Sequence, residues 1–172
     1  MWQRVGESGA GWGSASSGRP HLALAWGYIA VFLGQFHHSL DSKGRLTIPA
    51  KFRAELATGL VITRGIDRCL VVFPIEAWQS LSKKVNDLPM TDRRARIFKR
   101  RIFSAASDEI PDKQGRILIP PRLREYAGLE GEVLVAGVSD TIEVWNTERW
   151  DDEGEQLDRD DFDVDDWAVL GI

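Results

Sequence analysis

The chain has 172 residues, 43% of them apolar, which suits one ordinary domain or two small ones. Its net charge of −4 argues at first against a nucleic-acid partner, but Glu148 to Asp166 holds eleven acids and two arginines, which leaves the remainder at +5. The single cysteine, Cys69, excludes an internal disulfide and fits a reducing compartment. It reads as a small hydrophobe in a strand, not as a reactive thiol.

Met1 to Pro20 is rich in Gly and Ser and lacks periodicity, so disorder is expected there. Leu22 to Leu33 is apolar and follows Arg4 and Arg19, which imitates a signal peptide. The stretch is too short to cross a membrane, and no small-x-small cleavage site stands before a mature domain. Residues 1–31 therefore read as a disordered or mis-assigned extension, with the start of the native chain at Val31.

From Gln35 the pattern is of strands. Phe36, His38 and Leu40 alternate with Gln35, His37 and Ser39. A turn at Asp41–Gly44 leads into a strand over Arg45–Ile48. Pro49, whose missing N–H would be orphaned in a first turn, opens a helix over Ala50–Thr58 that stops at Gly59. Leu60–Thr63 and Cys69–Phe73 form a strand pair across a turn with Gly65 and Asp67. Pro74 opens a helix to about Asn86 along Ile75, Trp78, Leu81 and Val85. Thr91 caps a basic helix from Asp92 to about Ala106, with Ile97 or Phe98, Ile102 and Ala105 as its apolar side.

The cycle then repeats. A strand near Ser107–Ile110, a turn at Asp112–Gly115, a strand through Ile119 and a short helix from Pro120 or Pro121 precede strands near Glu132–Ala136 and Thr141–Trp145. Asp151–Asp166 reads as acidic and loosely ordered.

Two stretches carry one signature. Asp41-Ser42-Lys43-Gly44-Arg45-Leu46-Thr47-Ile48-Pro49 returns 71 positions later as Asp112-Lys113-Gln114-Gly115-Arg116-Ile117-Leu118-Ile119-Pro120. Gly65/Gly137, Phe73/Trp145, Glu76/Glu148 and Trp78/Trp150 then coincide at an offset of 72. This is a duplicated unit. Each copy is too small to supply a sufficient core alone, so the copies must bury surface against each other or against another subunit. The reading is an α+β protein of two β-rich modules packed pseudo-symmetrically. Residues 35–77 form the first module, 78–105 a helical linker, 106–149 the second module and 150–172 an acidic tail.

Any tight turn would select Gly44 and Gly115 for positive φ, and Asp41 and Asp112 to accept backbone N–H bonds. Lys43, Arg45, Lys113 and Arg116 are not explained by turn chemistry. They suit anion binding, since arginine offers a planar fork and lysine a point charge. A duplicated structural ion pair, Asp41 with Arg45, is the competing reading. The basic run from Arg93 to Arg101 suits a solvated face, or pairing with the acidic tail or a neighbouring subunit, with Arg96 and Arg100 as structural ion pairs. As a DNA surface it would add nonspecific phosphate attraction.

His37 and His38 alternate across a strand and cannot share one metal. There is no P-loop, no Gly-x-Ser-x-Gly and no calcium-loop order of acids, so neither a cofactor nor a metal is expected and an enzyme is the least fitting class. The tryptophans, Trp78 and Trp150 among them, read as core or subunit contacts.

With Phe32-Leu33-Gly34, the first signature through Arg53, and Gly115 to Pro120, the chain resembles the MraZ family over about residues 32–150. The resemblance implies two SpoVT/AbrB-type modules in a double-split β-barrel with short helices. It implies a bacterial transcriptional regulator at short promoter repeats ahead of the division and cell-wall gene cluster, in the cytoplasm on the nucleoid. The partners implied are double-stranded DNA and copies of the chain in a ring, with no membrane. Lys43, Arg45, Lys113 and Arg116 carry over as DNA contacts, and Asp41, Gly44, Asp112 and Gly115 as loop-shaping residues. The second signature departs in placing Gln114 in the lysine slot and Lys113 one position earlier. An antitoxin-type module and a purely structural ring scaffold are the alternatives.

Overall fold

The computed structural model describes residues 31–159. The chain runs through β1 (Phe32–Ser39), β2 (Arg45–Thr47), a 3-10 turn (Ala50–Phe52), β3 (Leu60–Arg64), β4 (Leu70–Pro74), α1 (Ile75–Asn86) and α2 (Arg93–Phe103). It continues through β5 (Ser107–Glu109), β6 (Arg116–Leu118), α3 (Pro121–Ala127), β7 (Glu132–Ser139), β8 (Thr141–Asn146) and α4 (Thr147–Arg159). The class is mixed α+β, with antiparallel pairing throughout.

Six strands form one sheet in the order β1-β7-β8-β4-β3-β5, and β2 pairs with β6 in a separate two-stranded ribbon. The order reads the same when the two copies are exchanged. The first strand of each copy pairs with the third strand of the other, and the two signature strands pair with each other. The repeats are therefore interleaved, because neither copy has enough apolar surface to close a core of its own.

The ribbon register sets Leu46 opposite Ile117, with both side chains almost fully buried. A slip of one residue would turn Arg45 or Thr47 inward, so burial fixes the register. Leu46, Ile48, Ile117 and Ile119 pack with Ile62, Val72, Val135, Ile142 and Val144 of the sheet in a single core. Phe52 reaches into it between Phe32 and Phe36, meeting both edge-on at ring distances of 5.2 and 5.1 Å. Truncating a ring so buried costs about 3–5 kcal/mol.

Four local expectations change. Ala50–Thr58 is not an α-helix: Phe52, Arg53, Ala57 and Gly59 donate to carbonyls three residues back, giving a 3-10 turn and further tight turns. So short a segment lies below the length at which the i→i−4 ladder becomes cooperative. The cap of α2 is Asp92, whose carboxylate accepts from the Arg94 N–H at 2.8 Å, in place of Thr91.

The apolar side of α2 is narrower than its spacing suggests. Ile102 and the following Ala105 are buried, whereas Ile97 and Phe98 remain 42% and 38% exposed. The acidic stretch is helical through Arg159 as α4, where Asn146 accepts from the Arg149 N–H and Trp150 packs on Trp145. The expected extension at 1–31, apart from Val31, and the acidic residues from 160 onward lie outside the described residues.

Candidate functional site

Each signature turn is built by its aspartate. Asp41 Oδ1 accepts from the backbone N–H groups of Lys43 (2.9 Å) and Arg45 (3.0 Å), and its Oδ2 takes Nε and Nη2 of the Arg45 guanidinium, both at 2.7 Å. Asp112 does the same with the N–H groups of Gln114 (2.8 Å) and Arg116 (3.0 Å), and with Arg116 Nε (2.8 Å) and Nη2 (2.6 Å). The arginine hydrogen bond is the main reason that both carboxyls are pulled down to about 2. The structural ion pair is therefore real at both turns, and it fixes Arg45 and Arg116 in one pose.

The glycines serve a second purpose beyond their positive φ. The guanidinium of Arg124 lies over Gly44 and that of Arg53 over Gly115, so a Cβ at either glycine would stand 2.7 or 2.5 Å from the crossing arginine. Arg124 Nε donates to Ile119 O at 3.1 Å and Arg53 Nε to Ile48 O at 2.9 Å. Gly44 O in turn accepts from Ile119 N–H and Gly115 O from Ile48 N–H. Each turn is thus completed by an arginine from the other copy. Sequence reasoning missed Arg53 and Arg124 as part of the site. Their signal was present, because each stands four residues after the signature proline.

The four cations of the sequence reading fall into two kinds. Lys43 and Lys113 are exposed at the turn tips, and Arg45 and Arg116 are held against carboxylates. Lys113 occupies the position equivalent to Ser42, so the two lysines are not symmetry mates. The crossing arginines meet no carboxylate within ion-pair distance among the described residues, and their terminal nitrogens retain free donors. From Gly44 to Ile48, whose N–H bonds to Gly115 O, the ribbon runs four residue steps, a span of about 13 Å at 3.3 Å per step.

Other candidates resolve differently. His38 is half-buried, and burial followed by the nearby Arg53 charge lowers its pKa. Cys69 is buried, and desolvation with the Glu143 and Asp67 carboxylates pushes its thiol up to about 12, far from a reactive thiolate. Arg96 and Arg100 form no ion pairs among the described residues; Arg96 Nη1 donates to Met90 O at 2.7 Å instead. Trp78 packs against Phe73 and Phe103 at the α1–α2 contact. Among the described residues no cluster of three or more metal-ligating side chains occurs, and no helix is long and apolar enough to cross a membrane.

Fold and site together define a duplicated, interleaved α+β protein that presents two equivalent cationic turns at the ends of a shared ribbon. The chain belongs to the MraZ family. It matches the family described as "MraZ protein, putative antitoxin-like" twice, over residues 31–101 and 102–169. The match extends past residue 150 and takes in much of the acidic stretch, for which the sequence motifs alone offer no counterpart. A relative from Thermomicrobium roseum is 50% identical over 127 residues, 74% of this chain and 89% of the relative. Relatives from Halothermothrix orenii (51% over 120 residues, 70% and 84%) and Parafrankia sp. (51% over 121 residues, 70% and 85%) are similar to it to the same degree. All three bear the name "Transcriptional regulator MraZ".

Proposed function

We propose that this chain is a sequence-specific DNA-binding transcriptional regulator that acts as a repressor at the promoter repeats of the division and cell-wall gene cluster. The observation that carries the reading is the pair of equivalent cationic turns about 13 Å apart along one ribbon, close to the width of a major groove. The names of the relatives support regulation of transcription as the use.

In this reading the interleaved modules, 35–77 and 106–149, are a double-split β-barrel that holds the ribbon rigid. Lys43 and Lys113 grip phosphates and set register. Arg45 and Arg116, pre-organised by Asp41 and Asp112, offer their remaining donors to base edges. The terminal nitrogens of Arg53 and Arg124 add phosphate contacts beside them. One chain reads few base pairs, so a ring of copies on the nucleoid engages several repeats at once and gains affinity from multivalency. Occupancy of the promoter then blocks polymerase.

The test is footprinting on the DNA upstream of the chain's own gene, followed by a salt titration. The wild type protects short repeats. Replacing both Lys43 and Lys113 by alanine lowers the log–log salt slope by about 2, at about 0.9 for each phosphate that is no longer neutralised. A chain that assembles but protects no sequence at any salt concentration is a scaffold, and this reading then fails.

A further inference from the structure

Four arginines, Arg64, Arg68, Arg101 and Arg149, gather around Tyr126 and the β3–β4 turn. Arg64 at the end of β3 lies 4.9 Å from the ring centre of Tyr126, and Arg68 in the hairpin turn lies 5.7 Å from it. Arg101 from α2 donates Nη2 to the Tyr126 hydroxyl at 3.0 Å, and that hydroxyl donates to Gly65 O at 2.8 Å. Arg149 from α4 donates to Ala127 O at 2.9 Å and to Arg68 O at 3.4 Å. Arg68 is held in the left-handed region, φ +61, a conformation costly for an arginine and met where the surrounding structure imposes it.

The Asp–Arg ion pairs of the described residues lie at the twin turns and not here. Asp67, the acid nearest in sequence, pairs with none of the four. Arg64 and Arg68 share the Tyr126 ring and neither is in an ion pair among the described residues, so their charges add unless an anion joins them. The Arg64 Nε–H is also buried and meets no acceptor among the described residues.

We infer that Arg64 and Arg68, braced by Arg101 and Tyr126, form a binding site for a phosphate-bearing anion. Tyr126 orders two forks by cation–π contact, and Arg101 and Arg149 tie the hairpin carbonyls so that the tip keeps its shape. A tetrahedral phosphate offers acceptor oxygens in several directions and can satisfy forks arriving from different elements, whereas a carboxylate offers one planar pair. A free phosphorylated ligand and the DNA backbone both present this group.

Inorganic pyrophosphate titrated by calorimetry into the full chain at low salt tests the site. The wild type and the Lys43→Ala/Lys113→Ala variant are expected to bind one equivalent each. Arg68→Ala, an exposed substitution, is expected to weaken binding at least tenfold, and Arg64→Ala/Arg68→Ala to abolish it. Melting curves without pyrophosphate check that the variants fold. If the source is DNA, Arg68→Ala also lowers the salt slope of DNA binding by about 1 and pyrophosphate competes with DNA; if it is a free ligand, the DNA isotherm is unchanged.

Binding left intact by Arg68→Ala, or lost on removal of Lys43 and Lys113, overturns the assignment. So does a wild type that ignores pyrophosphate while Arg68→Ala alters its sedimentation, because the cluster then takes acidic side chains of a second copy. Since the lysine variant serves as a control, failure here is separable from failure of DNA binding at the turns.

Discussion

Gly44→Ala tests the crossing-arginine geometry with an internal control. Gly44 has φ +76, and a Cβ there would stand 2.7 Å from Arg124 Cζ and Nε. The left-handed backbone alone costs an alanine about 1–2 kcal/mol. Arg124 must also swing away, losing its 3.1 Å bond to Ile119 O, worth about 1 kcal/mol. The expected loss is therefore about 2–3 kcal/mol. Gly131 has φ +64 but nothing within 4 Å of its Cβ position, so Gly131→Ala reports the backbone cost alone. Urea midpoints at constant m-value measure both. In the double variant with Arg124→Ala, the Gly44→Ala penalty should fall to that of Gly131→Ala. A Gly44→Ala loss no larger than that of Gly131→Ala, or a coupling below about 0.5 kcal/mol in the cycle, refutes the contact.

Three further expectations follow from the same structure. Asp41 and Asp112 have folded pKa values of about 2 against an ordinary 3.8, so their stabilisation is complete above pH 4 and disappears as pH falls through 2. Asp41→Asn/Asp112→Asn should be less stable than wild type at pH 6, with the two curves converging by pH 2; a gap that stays constant to pH 2 rejects the ion pairs as its source. Native Cys69 should resist iodoacetamide at pH 8 and react only as fast as the chain unfolds. Its raised pKa also makes stability fall as pH climbs from about 9 to about 12, because the unfolded thiol gives up its proton first. Thr63→Val removes the buried 2.8 Å bond to Ile102 O that ties α2 to β3, at a cost of about 1–3 kcal/mol by thermal melt; no loss would mean that the carbonyl finds water.

What could be read from sequence was local. The Asp-x-x-Gly-Arg turns, the strand alternation from Phe36 and the proline-led start of α1 are set by neighbours a few residues apart, and they appear where periodicity and turn chemistry put them. The pairing of β2 with β6 joins segments 71 positions apart, and propensity has no term for such a contact. Arg53 and Arg124 escape sequence reasoning for the same reason. In sequence each is one more basic residue after a proline; in space each closes the other copy's turn. Ile97 and Phe98 mislead in the opposite direction, since their spacing fits a buried stripe but the sheet is covered only as far as Ile102.

The interleaving also changes what the duplication means. Two copies side by side would give two independent anion sites, each tolerant of loss in the other. Here Gly44 needs Arg124 and Gly115 needs Arg53, while the ribbon register is held by Leu46 against Ile117. Damage to either copy therefore loosens both turns. A single-copy fragment, such as residues 35–77, would carry Lys43 and Arg45 but lack the arginine that closes their turn and the strand that aligns it. The Asp, Gly and Arg that the two signatures share thus follow from geometry as much as from ligand: each turn has to fit the other copy's arginine before it can face anything outside the chain.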